Sequence, residues 1–194
     1  MADVQAVANF FVHLAEDQAM RDAGDLMTDL KLQKMLYFAQ GWHLARYGEP
    51  LFDSRVEAWE HGPVVPDVYA TYKGCGRNPI HAAPVDYEQF TPREMDTMMD
   101  VFAYYGKYSA SGLRELSHTA GSPWREVYKP GVMHIEITPA SMQAYYSSQP
   151  PLETTADRLR NSADIKVTVP PIGKSGRPVL PAEDYEDWGD WDDN

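Results

Sequence analysis

The stretch Leu30–Tyr47, LKLQKMLYFAQGWHLARY, decides the fold. Its apolar residues fall on nearly every side of the helix that it would form, whereas a helix at a protein surface keeps one polar face. Thr28 can cap the first turn of this helix, and Gly48 followed by Pro50 would end it. The stretch therefore predicts a central helix of residues 29–47 that the rest of the domain surrounds.

Shorter helical patterns lie on both sides of this central helix. Apolar residues between 4 and 15 recur at three-and-four spacing, which predicts a first helix that ends before Gly24. Thr91, Pro92 and Glu94 have the spacing of a capping box and predict another helix start. The later helix carries one apolar stripe, made of Met95, Met98, Met99, Phe102 and Tyr105, which we expect to be buried in the core. The alternative is that its methionines form an adaptable partner-binding surface. Further short helices are predicted at 67–73, from Ser109 or Ser111 to His118, from Ser122, and from Thr138.

A few segments favour strands instead. Val56–Trp59 alternates in polarity and predicts one strand of a small hairpin, whereas His61–Pro66 predicts a rigid turn because of its glycine and two prolines. Residues 132–137 suit another brief strand. The expected class is mainly α: a compact helical domain with a small β-hairpin or short strands, plus a proline-rich acidic C-terminal extension.

Charge and composition divide the chain in the same way. Apolar residues make up 43% and aromatic residues 12%, which is enough to build a core, so we expect a helical domain at residues 1–148. Prolines are frequent from 149 to 194, which predicts a semi-ordered extension. The formal charge is −12, and residues 183–194 hold seven acids and no base, which leaves −5 for residues 1–182. This balance makes nucleic acid an unlikely main ligand, because such binding rests on Lys and Arg.

The acidic tail, residues 183–194, interleaves its carboxylates with Tyr185, Trp188 and Trp191. One interpretation is a solvated solubility segment. The other is a peptide that places its tryptophans in pockets of a partner while its acids meet Lys and Arg there. On the second interpretation, the partner-binding residues are Tyr185, Glu186, Asp187, Trp188, Asp190, Trp191 and Asp192.

Signatures of catalysis are missing from the sequence. It has no P-loop, no G-x-G-x-x-G and no G-x-S-x-G motif, and no two of its six histidines stand four residues apart. We therefore expect no enzyme activity, no catalytic residue, no metal and no cofactor. A single cysteine, Cys75, together with the lack of a signal peptide or a long apolar run, favours a cytoplasmic protein without a membrane partner.

Two sequence motifs resemble a known family. Leu30–Tyr47 is followed by GEPLFDSRVEAWEHGPVVPDVY at Gly48–Tyr69, and LRELSHTAGSPW stands at Leu113–Trp124. Together they resemble the Panacea domain of the SocA-like antitoxins, over about residues 4–147. The resemblance implies a mainly helical, non-catalytic, phage-associated or type II antitoxin that neutralises a cognate protein toxin by direct contact.

The motif positions have two interpretations, as buried polar anchors or as partner contacts. They are Lys31, Gln33, Lys34, Gln40, Trp42, His43, Trp59, His61, Pro63, Tyr69 and His118. Gly62 and Trp124 are further motif positions, and Trp124 is expected to lie in the core. Because a buried loop needs hydrogen-bond partners for its backbone, we expect polar groups of the central helix to bond to the 61–66 turn.

Alternatives to direct neutralisation remain open. A relative that delivers its toxin to a protease suggests an adaptor, with a protease machine as second partner. A metal-dependent hydrolase would use His43, His61 and His118 with Glu57 or Glu60. The leading expectation is an antitoxin whose toxin presents a basic surface to the acidic chain.

Overall fold

A computed structural model describes residues 1–21 and 26–152 of the chain. Within this part the protein is mainly helical, with seven α-helices and one two-stranded antiparallel sheet. The elements in chain order are α1 Val4–Arg21, α2 Asp29–Tyr47, β1 Glu57–Trp59, β2 Gly62–Val64, α3 Pro66–Tyr72, α4 Pro92–Tyr105, α5 Ala110–Ser117, α6 Pro123–Val127 and α7 Pro139–Ser147. The predicted fold class is confirmed.

Helix α2 is the centre of the fold, as its sequence predicts. The Thr28 side chain accepts a hydrogen bond from the Lys31 backbone N–H, and Gly48 ends the helix in a left-handed conformation, with φ of 72°. Helices α1, α3, α4, α5 and α7 and strand β2 all pack against α2. A Cβ atom on Gly41 would lie 2.2 Å from the Tyr146 ring, so the absence of a side chain lets α7 approach the α2 backbone.

Side-chain caps start the other helices where the sequence predicts them. Thr91 and Glu94 form a reciprocal capping box at α4, while Ser109, Ser122 and Thr138 cap α5, α6 and α7. Each cap satisfies a backbone N–H that the first helical turn leaves without a partner.

The methionine stripe predicted on α4 is wrong in one position. Met98 and Tyr105 are buried, but the Met99 side chain is 44% exposed. Successive residues of a helix point about 100° apart, so Met98 and Met99 cannot both face a narrow core. The core side of α4 uses Val101 and the buried polar residue Thr97 instead.

The hairpin is longer than the sequence indicates. Gly62–Val64, predicted as part of a turn, is the second strand and pairs with β1 so that Ala58 faces Pro63 and Trp59 faces Gly62. Pro63 has no N–H to donate to a neighbouring strand, and proline within a sheet is therefore confined to edge strands. Strand β2 is such an edge. The glycine and two prolines of residues 61–66 favour a turn in the sequence, which is why this strand was not predicted.

The strand predicted at 132–137 is reduced to a single β-bridge between Glu57 and Glu136. Backbone hydrogen bonds join Ala58 N–H to the Ile135 carbonyl and Ile137 N–H to the Val56 carbonyl, each at 2.8 Å. A regular strand cannot extend further back, because His134 adopts a positive φ of 60°.

No helix in residues 1–21 and 26–152 is both long and apolar enough to cross a membrane. Helix α7 is the last helix of that part, and Leu152 still packs in the core with 6% of its surface exposed. The acidic tail and most of the predicted extension lie outside the described residues.

Candidate functional site

The sequence motifs meet in one buried polar cluster, formed by the first half of α2, the β1–β2 hairpin and the segment from α5 to α6. Gln33 Oε1 accepts a hydrogen bond from the Val65 N–H at 2.8 Å. Lys34 Nζ donates to the Pro63 carbonyl at 2.9 Å. These two side chains bond to the outer edge of the hairpin, where a further strand would otherwise pair. The predicted hydrogen bonds between the central helix and the 61–66 segment are therefore confirmed.

Lys34 is an unusual charge in this cluster, because its side chain is 0% exposed. Burial lowers the pKa of the Lys34 ammonium to about 7, although the nearby Asp29 carboxylate acts in the opposite direction. Asp29 in turn accepts a hydrogen bond from Gln33 Nε2 at 3.0 Å, and burial raises the pKa of its carboxyl. The motif lysine therefore holds the hairpin from inside the protein rather than presenting a charge to solvent.

Gly62 allows the hairpin to approach this lysine. Its φ of +103° belongs to a region that side-chain-bearing residues rarely adopt. A Cβ atom would lie 2.7 Å from Lys34 Cε, 3.0 Å from Ser117 Oγ and 3.1 Å from His118 Cε1. Both the backbone conformation and the close contacts therefore require glycine at this position.

The second motif holds the hairpin from the other side. Trp124 Nε1 donates to the Trp59 carbonyl at 2.9 Å, and the His118 ring packs against Trp124 with 3.6 Å between ring centroids. His118 Nδ1 donates a hydrogen bond to the Arg114 carbonyl, and burial lowers the pKa of the His118 imidazole. A neutral His118 thus has a packing role next to Trp124.

The remaining polar motif residues of α2 also bond within the fold. The Gln40 amide forms three hydrogen bonds with the backbone of residues 51–52, with lengths of 2.8, 2.9 and 3.2 Å. The other contacts are Lys31 Nζ to the Gly106 carbonyl, Trp42 Nε1 to the Tyr105 hydroxyl, and His43 Nδ1 with Thr97 Oγ1. All four α2 residues are buried, so the interpretation of these motif positions as internal anchors fits the structure.

A surface groove lies directly over the buried cluster and encloses a cavity of about 560 Å³. Asp29, Gln33 and Lys34 form its floor, and the half-buried aromatic residues Trp59, Tyr69 and Tyr128 line it. The exposed residues along its edge are Leu30, Glu60, His61, Lys73, Val132 and Met133. Trp59, His61 and Tyr69 are therefore the predicted motif residues that a partner can reach here.

The histidines proposed for a hydrolase are held in separate environments. His43 contacts Thr97, His118 contacts the Arg114 carbonyl, and His61 is exposed at the groove. No three His, Cys, Asp or Glu side chains of residues 1–21 and 26–152 are grouped so that they could hold a metal ion. The geometry gives the described part of the chain no support for a metal-dependent mechanism.

The groove depends on a loop that the sequence interpretation missed. Val132 and Met133 were predicted to lie in or beside a strand, but they lie exposed in the 129–134 loop. The sequence signal for a loop was Pro130-Gly131 before the apolar pair. The tail residues 185–192, predicted to bind a partner, lie outside the described residues.

Comparison with known proteins gives two matches. A family model described as "Antitoxin SocA-like, Panacea domain" matches residues 32–125, the segment that contains both sequence motifs. The chain is also similar to Antitoxin SocA of Caulobacter vibrioides (strain NA1000 / CB15N), with 35% identity over 133 residues, which cover 63% of this chain and 68% of that protein. No solved structure matches the chain.

Proposed function

Because this chain belongs to the SocA-like antitoxin family with a Panacea domain, we propose that it is the antitoxin of a type II toxin–antitoxin system. The antitoxin neutralises a cognate protein toxin by binding to the toxin and covering the surface through which the toxin acts. The observation that carries this proposal is the 35% identity to Antitoxin SocA over 133 residues. On this proposal the protein acts without catalysis of its own.

The use of the motif residues supports a binding role. Hydrogen bonds within the fold engage the polar groups of Gln33, Lys34, Gln40 and Trp124. A catalytic site would instead leave such groups directed at a substrate. The motifs therefore build a scaffold, and the choice of partner falls to exposed residues around it.

The charge of the chain indicates what kind of toxin it would bind. The formal charge is −12, and seven of the acids lie in residues 183–194 beside Tyr185, Trp188 and Trp191. Opposite charges on two partners accelerate their encounter and select against wrong partners. We infer a toxin with a basic surface, which the tail covers while the helical domain binds.

Co-expression tests the proposal. The open reading frame next to this gene is induced in a host with and without the full chain, and the two products are then purified through a tag on one of them. We expect growth arrest by the neighbouring product alone, growth in the presence of this protein, and a stable complex. Arrest that this protein does not relieve, together with no complex, would overturn the proposal.

The tail is tested by two variants that separate its charges from its aromatic rings. One replaces Trp188 and Trp191 with serine, and the other replaces the seven acids of 183–194 by their amides. If the tail docks as proposed, both variants bind the toxin more weakly than the full chain, and only the acid-to-amide variant loses salt dependence. Unchanged affinity of a chain that ends at residue 182 would reject a role for the tail.

The half-life of the toxin separates neutralisation from delivery to a protease. A neutralising antitoxin leaves the toxin in a long-lived complex, whereas an adaptor shortens the life of its client. We expect pulse-chase labelling to show a toxin that is at least as long-lived with this protein as without it. Faster turnover in its presence would favour the adaptor.

A further inference from the structure

The loop at residues 129–134 displays two apolar side chains to solvent. Val132 is 50% exposed and Met133 is 71% exposed. With Leu30, which is 36% exposed, they are three of the eight large hydrophobic residues exposed in the described part of the chain, and all three border the same groove. Apolar side chains that gather around a concavity mark contact surfaces, whereas scattered ones need no explanation.

The backbone of this loop is held in a strained conformation. His134 is the one non-glycine residue with a positive φ in residues 1–21 and 26–152. Its Nδ1 lies 3.0 Å from Glu57 Oε2, and the following residue accepts the Ala58 N–H, so contacts with β1 fix the loop. Strain of this kind persists where surrounding structure imposes it, and it is concentrated at functional sites. Here the strained residue follows the exposed pair Val132 and Met133.

The groove beside the loop offers the side chains that dominate protein interfaces. Trp59, Tyr69 and Tyr128 line it, and the Trp59 and Tyr69 rings contact each other edge to face with 4.9 Å between centroids. Such aromatic side chains are enriched among the residues that carry most of the binding energy of an interface. A cavity of about 560 Å³ has room for a large aliphatic or aromatic side chain of a partner.

Glu60 is the exposed carboxylate that lines the groove. Its carboxylate is exposed at the edge and forms no hydrogen bond or ion pair within residues 1–21 and 26–152. Lys73 also lines the groove and Lys129 is exposed in the loop, but residues 1–182 carry a net charge of −5, so the chain as a whole attracts cations. Charge complementarity therefore favours a basic segment of a partner.

We propose that the groove and the 129–134 loop are the docking surface for the toxin, which inserts an apolar side chain flanked by a lysine or arginine that pairs with Glu60. This inference rests on the proposed antitoxin function and adds the surface and the chemistry of the contact. Val132 and Met133 would then pack against the toxin beside the inserted side chain.

Single substitutions in the full-length protein test this surface. Met133→Asp places a charge in the proposed contact, and its matched control is Met20→Asp at the end of α1, where the side chain is 79% exposed. Titration calorimetry with the product of the neighbouring gene is expected to show that Met133→Asp weakens binding by roughly tenfold or more, about 1.4 kcal/mol. Met20→Asp should bind like the unmodified chain, and equal thermal midpoints would show that both variants fold.

A second pair of variants tests the charge. Glu60→Lys should weaken binding and reverse its salt dependence at this contact, whereas Lys73→Glu, which removes a like charge from the groove edge, should tighten it. Binding by Glu60→Lys as tight as that of the unmodified chain would overturn the proposed pairing.

The outcomes separate this inference from the antitoxin function. If the unmodified chain binds and neutralises the toxin and Met133→Asp does so equally well, the surface is wrong but the function stands. If the unmodified chain does not bind the toxin at all, both proposals fail together. If light scattering shows a dimer that Met133→Asp dissociates without loss of toxin binding, the loop is a self-association surface and the inference is overturned.

Discussion

Replacing Lys34 with methionine should remove a pH dependence of folding that the buried ammonium creates. The Lys34 side chain is 0% exposed and donates to the Pro63 carbonyl, and burial lowers its pKa to about 7 from the ordinary value of 10.5. The unfolded chain exposes this lysine, so its pKa there returns to the ordinary value. Between these two pH values the unfolded state binds more protons than the folded state.

The sign and size of the effect follow from this difference. Because the unfolded state binds the extra proton, the free energy of unfolding rises with pH between about 7 and 10.5, by at most about 1.4 kcal/mol per pH unit. The ammonium therefore destabilises the fold most below pH 7, and the penalty disappears as the pH rises through this window. From pH 7.5 to pH 9 the expected gain is about 2 kcal/mol.

Tyrosines set the upper limit of the useful range. Burial raises the pKa of Tyr37 and Tyr146, and it raises that of Tyr105 to about 12. Above about pH 10 the unfolded chain ionises its tyrosines first, which lowers the free energy of unfolding and opposes the lysine effect. Measurements at or below pH 9 avoid this region.

Urea unfolding at pH 7.5 and pH 9 measures the effect. The unmodified chain should gain about 2 kcal/mol more than Lys34→Met over this interval. Lys73→Met removes an exposed lysine instead and should follow the unmodified chain. Parallel pH profiles for the unmodified chain and Lys34→Met would contradict a lowered pKa of Lys34, because a buried ammonium must make the profiles diverge.

Further substitutions test the anchors of the hairpin and of α4. Gly62→Ala should lower the free energy of unfolding by about 2 kcal/mol or more, since it combines a positive φ with a Cβ contact of 2.7 Å. The control Gly121→Ala has a positive φ but open space, and it should lower the free energy of unfolding by about 1 kcal/mol. Equal losses for the two variants would contradict the close contact at Gly62. Gln40→Leu leaves three backbone groups of residues 51–52 without a hydrogen-bond partner and should lower the free energy of unfolding, measured in urea, by about 3 kcal/mol. A loss below about 1 kcal/mol would show that these groups find other partners. Thr91→Ala removes the α4 cap and should lose about 1 kcal/mol, visible as a lower thermal midpoint, whereas an unchanged midpoint would deny the cap any role.

Local chemistry was enough to predict most of the helices. Thr28, Thr91, Ser109 and Thr138 each cap a helix where the sequence places one, because a cap depends on only a few neighbouring residues. The bonds from α2 to the 61–66 segment were also predictable, since a buried backbone needs partners and α2 carried spare polar groups.

Features that depend on distant contacts were not predictable in the same way. Gly62–Val64 reads as a turn from its composition, and its strand geometry becomes clear only when α2 covers its outer edge. The groove joins residues from α2, the hairpin, α3 and the 129–134 loop, which no local pattern relates. His134 in its strained conformation is likewise imposed by Glu57, far away in sequence.

Direct neutralisation is tested by mixing the purified full-length chain with the purified product of the neighbouring gene, with no protease present. Titration calorimetry followed by light scattering measures the affinity and the stoichiometry of any complex. The proposed antitoxin function predicts a defined complex with a dissociation constant of about 1 μM or lower, about −8 kcal/mol, in which the toxin is inactive. The absence of binding, or a toxin that remains fully active inside the complex, would contradict it.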